Sequence, residues 1–215
     1  AMLEHGVPFR LNSRVCRLVA PNPGVMTGPG TNTYLLGTEK VAVLDPGPAI
    51  PAHVDAILDA VGDRIHWVVC THTHPDHSPA AQAVAQATGA EVIGAVPPED
   101  DHQDKTFKPS IELQHDHVLS TDEITLRAIH TPGHVGNHYC FFLEEEGMLF
   151  AGDHIMNGST VVIIPPSGDM KAYIESLQLL LAYPLRQIAP GHGDVIEDPA
   201  AAVEWLVQHR LGREG

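Results

Sequence analysis

Within the 215 residues, the segment His72-Thr73-His74-Pro75-Asp76-His77 gathers three imidazoles and one carboxylate into six positions. Imidazole nitrogen and carboxylate oxygen are ligands that suit zinc, manganese or iron. The segment follows HWVVC (66–70), an apolar run of the length of one buried strand. A strand end is a fixed place, and a tight loop leaving it can turn several side chains toward one point. Three further donors stand at the ends of later apolar runs: His134 in TPGHVGNH, Asp153 in AGDH and His192 in PGHGD. Each has a glycine beside it, which lets the backbone turn sharply onto a small target. Together the seven residues read as a metal centre for hydrolysis. No G-x-S-x-G turn offers a serine nucleophile, and Cys70 reads as core.

The elements that must position these residues alternate in kind. RVCRLVA, TNTYLLG, VAVLD, HWVVC and EVIGAV read as strands of the first half. Between them, AHVDAILDAVG spaces Val54, Ile57, Leu58 and Val61 for a helix that stops at Gly62, and AAQAVAQATG forms a second helix ending at Gly89. Residues 97–117 are polar and irregular and read as a surface excursion. Strands resume with EITLRAIH, HYCFFLEE, GMLFAGD and STVVII. Asp169 then caps a helix with Tyr173, Ile174, Leu177, Leu180 and Leu181 on one face, followed by a short strand RQIAP and a last helix PAAAVEWLVQHRLG. Two strand-rich halves, each with helices outside, predict a layered α/β sandwich.

The order HxHxDH, His, Asp, His resembles the metallo-β-lactamase-fold hydrolases over essentially the whole chain, from TNTYLL and LDPG to GHG and the last helix. NPGVMTGPGTNTYLLG, GSTVVI with GDMKAYIESL, and the terminal HRLGRE are most similar to the lactamase-beta-2-like branch. The resemblance implies a four-layer αββα sandwich with mixed sheets and outer helices. It implies a single domain over 1–215, without the small winged-helix-like C-terminal extension of that branch. It further implies two zinc ions, with iron or manganese as the other candidates. His72, His74 and His134 would hold the first, Asp76, His77 and His192 the second, and Asp153 would bridge them. Asp76 would also orient a bridging hydroxide, the catalytic role, and Asp45 in LDPG would steady the ligand loop.

Other residues are weaker candidates. His138 reads equally as a donor to substrate and as a structural residue. Asn32 and Thr33 would either supply donors to a developing oxyanion or shape a turn. Ser159 and Thr160 would line the pocket, while His102, His115 and His117 would be exposed or part of a lid. The chain departs from two relatives: His74 stands where the di-iron oxygen-reducing members have Glu, and Asp153 and His192 are only 39 residues apart, which leaves no room for an inserted domain.

Composition narrows the substrate. Against 12 Lys+Arg stand 27 Asp+Glu, a net charge of −15, which disfavours RNA and anionic membrane surfaces. No run reaches the length of a membrane span. Cys16, Cys70 and Cys140 read as buried reduced thiols, and AMLEHGVPFR lacks the basic and apolar parts of a secretory signal, so a cytoplasmic protein is expected. Ala1 ahead of Met2 reads as a remnant of expression. The expected function is hydrolysis of a small ester, thioester, lactone or amide. Three alternatives stand beside it: an endoribonuclease on single-stranded RNA, an iron-dependent persulfide dioxygenase and a non-catalytic zinc-binding module. Oligomeric state is open.

Overall fold

The computed structural model describes residues 4–157, 160–161, 163, 165 and 168–212. Ser159 and part of the run expected as a strand at 159–164 lie outside the described residues, as does the end of HRLGRE. Among the described residues, twelve strands fall into two mixed sheets. The first takes, in spatial order, β1 (Phe9–Arg10), β2 (Val15–Val19), β3 (Asn32–Leu36), β4 (Val41–Leu44), β5 (Ile65–Val69), β6 (Glu91–Gly94) and β7 (Ile111–Glu112). Pairing is antiparallel from β1 to β4 and parallel from β4 to β7. The second sheet contains β8 (Val118–Ser120), β9 (Thr125–His130), β10 (Tyr139–Leu143), β11 (Met148–Gly152) and β12 (Gln187–Pro190), the last parallel to β11.

Alternation along the strands sorts the apolar side chains into three clusters, and these define four layers. Between the sheets, Tyr34, Leu36, Leu44 and Ile93 meet Leu126, Phe141, Leu143 and Phe150. On the outer face of the first sheet, Leu35, Val43 and Val68 pack against Ile57 and Val61 of α1 (Pro51–Val61) and Val84 of α2 (Ala81–Thr88). On the outer face of the second, Ile129, Phe142 and Leu149 pack against Tyr173 and Leu177 of α3 (Met170–Leu180) and Val203 and Leu206 of α4 (Pro199–Arg210). Burying each such Leu, Val or Phe is worth about 1.5–3 kcal/mol, enough to fix strand register on both faces. The expected αββα order is therefore observed.

The helix ends follow the sequence: Gly89 turns left-handed at φ 75°, and Asp169 accepts from Ala172 N at 3.1 Å. Leu181, expected on the buried face, instead stands 46% exposed just past the end of α3. The stretch 97–117 is not wholly a surface excursion. Phe107 and Leu113 are buried in the core clusters, Gln103 and Asp104 are buried, and β7 adds an edge strand. No described helix is long and apolar enough to cross a membrane.

Candidate metal centre

The parallel strands β4 and β5 end side by side and deliver two loops to one edge of the sandwich. Asp45 continues the ladder through its N–H to Val69 O at 2.7 Å, then takes a left-handed φ of 52°. Its carboxylate is thereby aimed across the start of the second loop. Oδ1 accepts from Thr71 N at 2.7 Å, and Oδ2 accepts from Thr71 Oγ1 at 2.8 Å and from His77 Nδ1 at 2.9 Å. Because Thr71 Oγ1 spends its hydrogen on Asp45, it accepts from His72 Nδ1, 2.9 Å away. One carboxylate thus sets the orientation of two imidazoles.

The second sheet supplies the remaining donors. His134 follows β9, Asp153 follows β11 and His192 follows β12. Gly191 N donates to Gly152 O at 2.7 Å, which keeps the last two loops together. Space here is tight: a Cβ on Gly152, at φ 51°, would lie 2.6 Å from both His138 Nε2 and Thr71 Oγ1. His192 Nδ1 donates to Gly30 O at 3.2 Å, turning Nε2 inward.

The seven residues converge as two groups. His72, His74, His134 and Asp153 offer one donor atom each, all within 4.8 Å of one another, and Asp76, His77, Asp153 and His192 do the same. Asp153 belongs to both. Three features suit these sets to a cation. His72 Nε2 is buried without a hydrogen-bond partner, as is Asp153 Oδ1. The Nε2 atoms of His77 and His192 face each other at 3.3 Å and both point at the carboxylates of Asp76 and Asp153, while both Nδ1 atoms are engaged elsewhere, so four donor atoms converge on one point. In the other group, His134 Nε2 and His74 Nδ1 approach to 3.1 Å.

The electrostatics agree. Burial alone would raise the Asp153 carboxyl, but the neighbouring His77 and His192 hold it well below the usual carboxylate range. Asp76 is held low against the same burial by His77 and by hydrogen bonds from His192 and His77. Burial would lower His192, yet Asp153 and Asp76 bring it up to about 9. In the other group burial, then His134, pushes His74 down to about 4, and burial with His77 keeps His72 neutral. Neutral imidazoles and ionised carboxylates are the forms that bind metal; His72 and His74 are held in that form, whereas the carboxylates draw a proton onto His77 and His192 that a bound metal would displace.

The weaker candidates separate. His138 is fully buried beneath the ligands, its Nδ1 bonded with Thr131 Oγ1 at 2.9 Å, its Nε2 accepting from Asp153 N at 3.3 Å and its ring 4.9 Å from that of His72. It braces the Asp153 loop and does not line the cleft. Asn32 spends its Nδ2 on Pro190 O and Gly193 O at 3.1 and 2.8 Å, flanking His192. Thr33 Oγ1 donates to Asp45 O at 2.7 Å. Both brace the loops that carry the donor residues and are not among the described residues that line the cleft. Thr160 is not among the described residues that line the cleft, and neither are His115 and His117. His102 does line it.

That cleft holds about 560 Å³. His74, Asp76, His134 and Asp153 form its floor, with Met26 and Thr27 on one side and Asp100–Gln103 on another. The residues that sequence reasoning missed are Thr71, Thr73 and Gln103. The two threonines alternate with the histidines in THTH, a visible signal, whereas nothing local marks Gln103.

The family model of the metallo-beta-lactamase superfamily matches residues 26–192. The chain is 34% identical to the beta-lactamase-like protein 2 homolog of Drosophila melanogaster, over 95% of the chain and 73% of that protein. It is 35% identical to the lactamase-like protein nscB of Arthroderma benhamiae, over 95% of the chain but only 45% of the relative, so it spans about half of that protein's length. Among solved structures, a metallo-beta-lactamase family protein from Thermus thermophilus superposes with a TM-score of 0.79 at 24% identity, covering 95% of this chain and 81% of that one. A fold, a family model and relatives that agree over the same span leave one assignment: the chain belongs to the metallo-beta-lactamase superfamily.

Proposed function

We propose that the protein is a metal-dependent hydrolase with two zinc ions, one held by His72, His74 and His134, the other by Asp76, His77 and His192, with Asp153 shared. The observation that carries this reading is the double membership of Asp153 in two four-residue donor sets. Two such ions, when bound, lower the pKa of water toward about 7 and polarise a substrate oxygen. The chain's own residues supply the rest. Asp45 and Thr71 fix the imidazoles, which cuts the reorganisation needed on binding. Asp76 is 25% exposed in its side chain and lines the cleft floor, so it can accept a hydrogen bond from the nucleophile and orient it.

The substrate is a small ester, thioester, lactone or amide. A 560 Å³ cleft fits such a molecule, and no Lys or Arg of the described residues lines it to track a phosphodiester backbone. The test is a panel of a thioester, a lactone, a cephalosporin, a bis-aryl phosphodiester and unstructured RNA, run with the zinc-loaded protein and its Asp76→Ala and His134→Ala variants. Turnover of a carbonyl substrate that both variants lose supports the reading. Cleavage of RNA alone, or full turnover by both variants, contradicts it.

A further inference from the structure

We propose that Asn137 is a positioning residue for the first donor set, holding His134 in register with His72 and His74 through the hydroxyl of Thr73. This rests on the two-metal reading above. That set is divided between the sheets: His72 and His74 follow β5, whereas His134 and Asp153 follow β9 and β11. The backbone ties the two halves at the strand ends, where Tyr139 N donates to Thr71 O at 2.7 Å. Tyr139 lies five residues beyond His134, and a second tie stands nearer the donor atoms. Asn137, three residues after His134, spends its amide hydrogens on loops of the other sheet. Nδ2 donates to Thr73 Oγ1 at 2.9 Å and to Val96 O at 3.3 Å. Thr73 stands between His72 and His74, so the bond joins the segments that carry all three imidazoles.

The direction of each hydrogen bond is fixed by the ends of the chain they form. The Asp100 carboxylate only accepts, so Gln103 turns Nε2 toward it, at 3.3 and 3.2 Å, and Oε1 toward Thr73. Thr73 Oγ1 therefore donates to Gln103 Oε1 at 2.6 Å and is left as an acceptor for Asn137. At the other end the carbonyl of Val96 takes the remaining amide hydrogen. Thr73, Gln103 and Asn137 are all buried, so water does not compete for these groups. Burying an amide oxygen unpaired is costly, and Asn137 Oδ1 has no hydrogen-bond partner among the described residues. The two bonds from Nδ2 are what offset that cost. A counterpart serves the second set: Asn32 of β3 reaches the other way, onto Pro190 O and Gly193 O beside His192. Each donor set thus has a buried asparagine that crosses between the sheets.

The test measures zinc affinity by chelator competition where a single set remains, with His192→Ala leaving the first and His72→Ala the second. Thr73→Val and Asn137→Leu keep the side-chain size and remove the bond. In the His192→Ala background each is expected to weaken zinc about tenfold. Thr73→Ser keeps the hydroxyl and should stay within about twofold of its parent. In the His72→Ala background all three should stay within about twofold. Because both substitutions cut one bond, the double variant should lose little more than Asn137→Leu alone. A merely structural role would weaken both backgrounds alike, and that result, or no weakening in either, overturns the proposal. Amide hydrogen exchange of the metal-free protein reads the same tie without zinc. Residues 134–138 should exchange about tenfold faster in Thr73→Val and Asn137→Leu but not in Thr73→Ser, with 190–193 unchanged. Should neither background hold zinc, which would sink the two-metal reading alone, this pattern still supports the proposal. Exchange that is unaltered, or faster throughout the chain, overturns the proposal and leaves the two-metal reading standing.

Discussion

Asp45 holds His77 through a 2.9 Å contact between Oδ2 and Nδ1, and the same oxygen takes the Thr71 hydroxyl that orients His72. A carboxylate outside both donor sets therefore decides which nitrogen of each imidazole faces the centre. Asp45→Asn keeps the size but can set an amide N–H against His77, reversing the tautomer. Zinc affinity is expected to fall about 10–100-fold, measured by competition with a chromogenic chelator. Affinity within twofold of the parent protein would show that Asp45 does not set the tautomer.

Gly191→Ala tests how closely the two ligand loops must approach. The added Cβ would stand 2.8 Å from His77 Cε1, 2.9 Å from Gly152 O and 3.0 Å from Asp153 Oδ1. Two of these neighbours are side chains of the donor sets and one is backbone, so relief has to come from the donor residues. The expected outcome is a loss of about 1–3 kcal/mol in stability together with weaker metal binding, measured by urea unfolding and zinc titration. Unaltered zinc affinity would mean that the centre tolerates a wider spacing.

His53 predicts a defined pH response. It is buried under Gly47, its Nε2 donating to Thr33 Oγ1 at 2.9 Å, and burial pushes it down to about 4 against an ordinary 6.5. Between those values the unfolded chain binds the extra proton. The His53 contribution is therefore whole above pH 6.5 and lost as pH falls to about 4, a change of roughly 3 kcal/mol. His53→Gln keeps a donor to Thr33 without the titration. Its unfolding free energy should fall less steeply than that of the parent over this window, and parallel curves would contradict the assignment.

Glu123 ties the two sheets at the edge far from the cleft. It accepts from Thr38 N and Oγ1 at 2.8 and 2.5 Å and from Glu39 N and Lys40 N at 2.8 and 3.1 Å, and the Thr38 hydroxyl with these amides brings its carboxyl to about 2. Glu123→Ala should lower the melting temperature by about 2–4 °C without changing zinc content, since solvent screens this half-buried anchor. A change in zinc content would show that the sheet edge and the centre are coupled.

The donors were legible because their signal is local: HxHxDH, GH, GD and GHG each combine ligand chemistry with a sharp turn at a strand end. The layered α/β sandwich was legible because apolar periodicity repeats over long runs, and its four-layer order followed from the family resemblance. What escaped depends on contacts distant in the chain. Asn32 reads as a turn or an oxyanion donor until β12 is set beside it, and Gln103 acquires meaning only once Thr73 lies 2.6 Å away. The strands Phe9–Arg10 and Ile111–Glu112 have two residues each, too few for an alternation to register. Phe107 and Leu113 were hidden because charged neighbours outweigh two apolar residues in any local average.

The most direct measurement of the two-metal centre is zinc stoichiometry by mass spectrometry of elements after reconstitution and desalting, for the parent chain and for His72→Ala and His192→Ala. Two zinc ions per chain, falling to one in each variant, is the result expected from two donor sets sharing Asp153. One metal ion per chain in the parent, or a single iron with oxygen consumption on a persulfide, would contradict it.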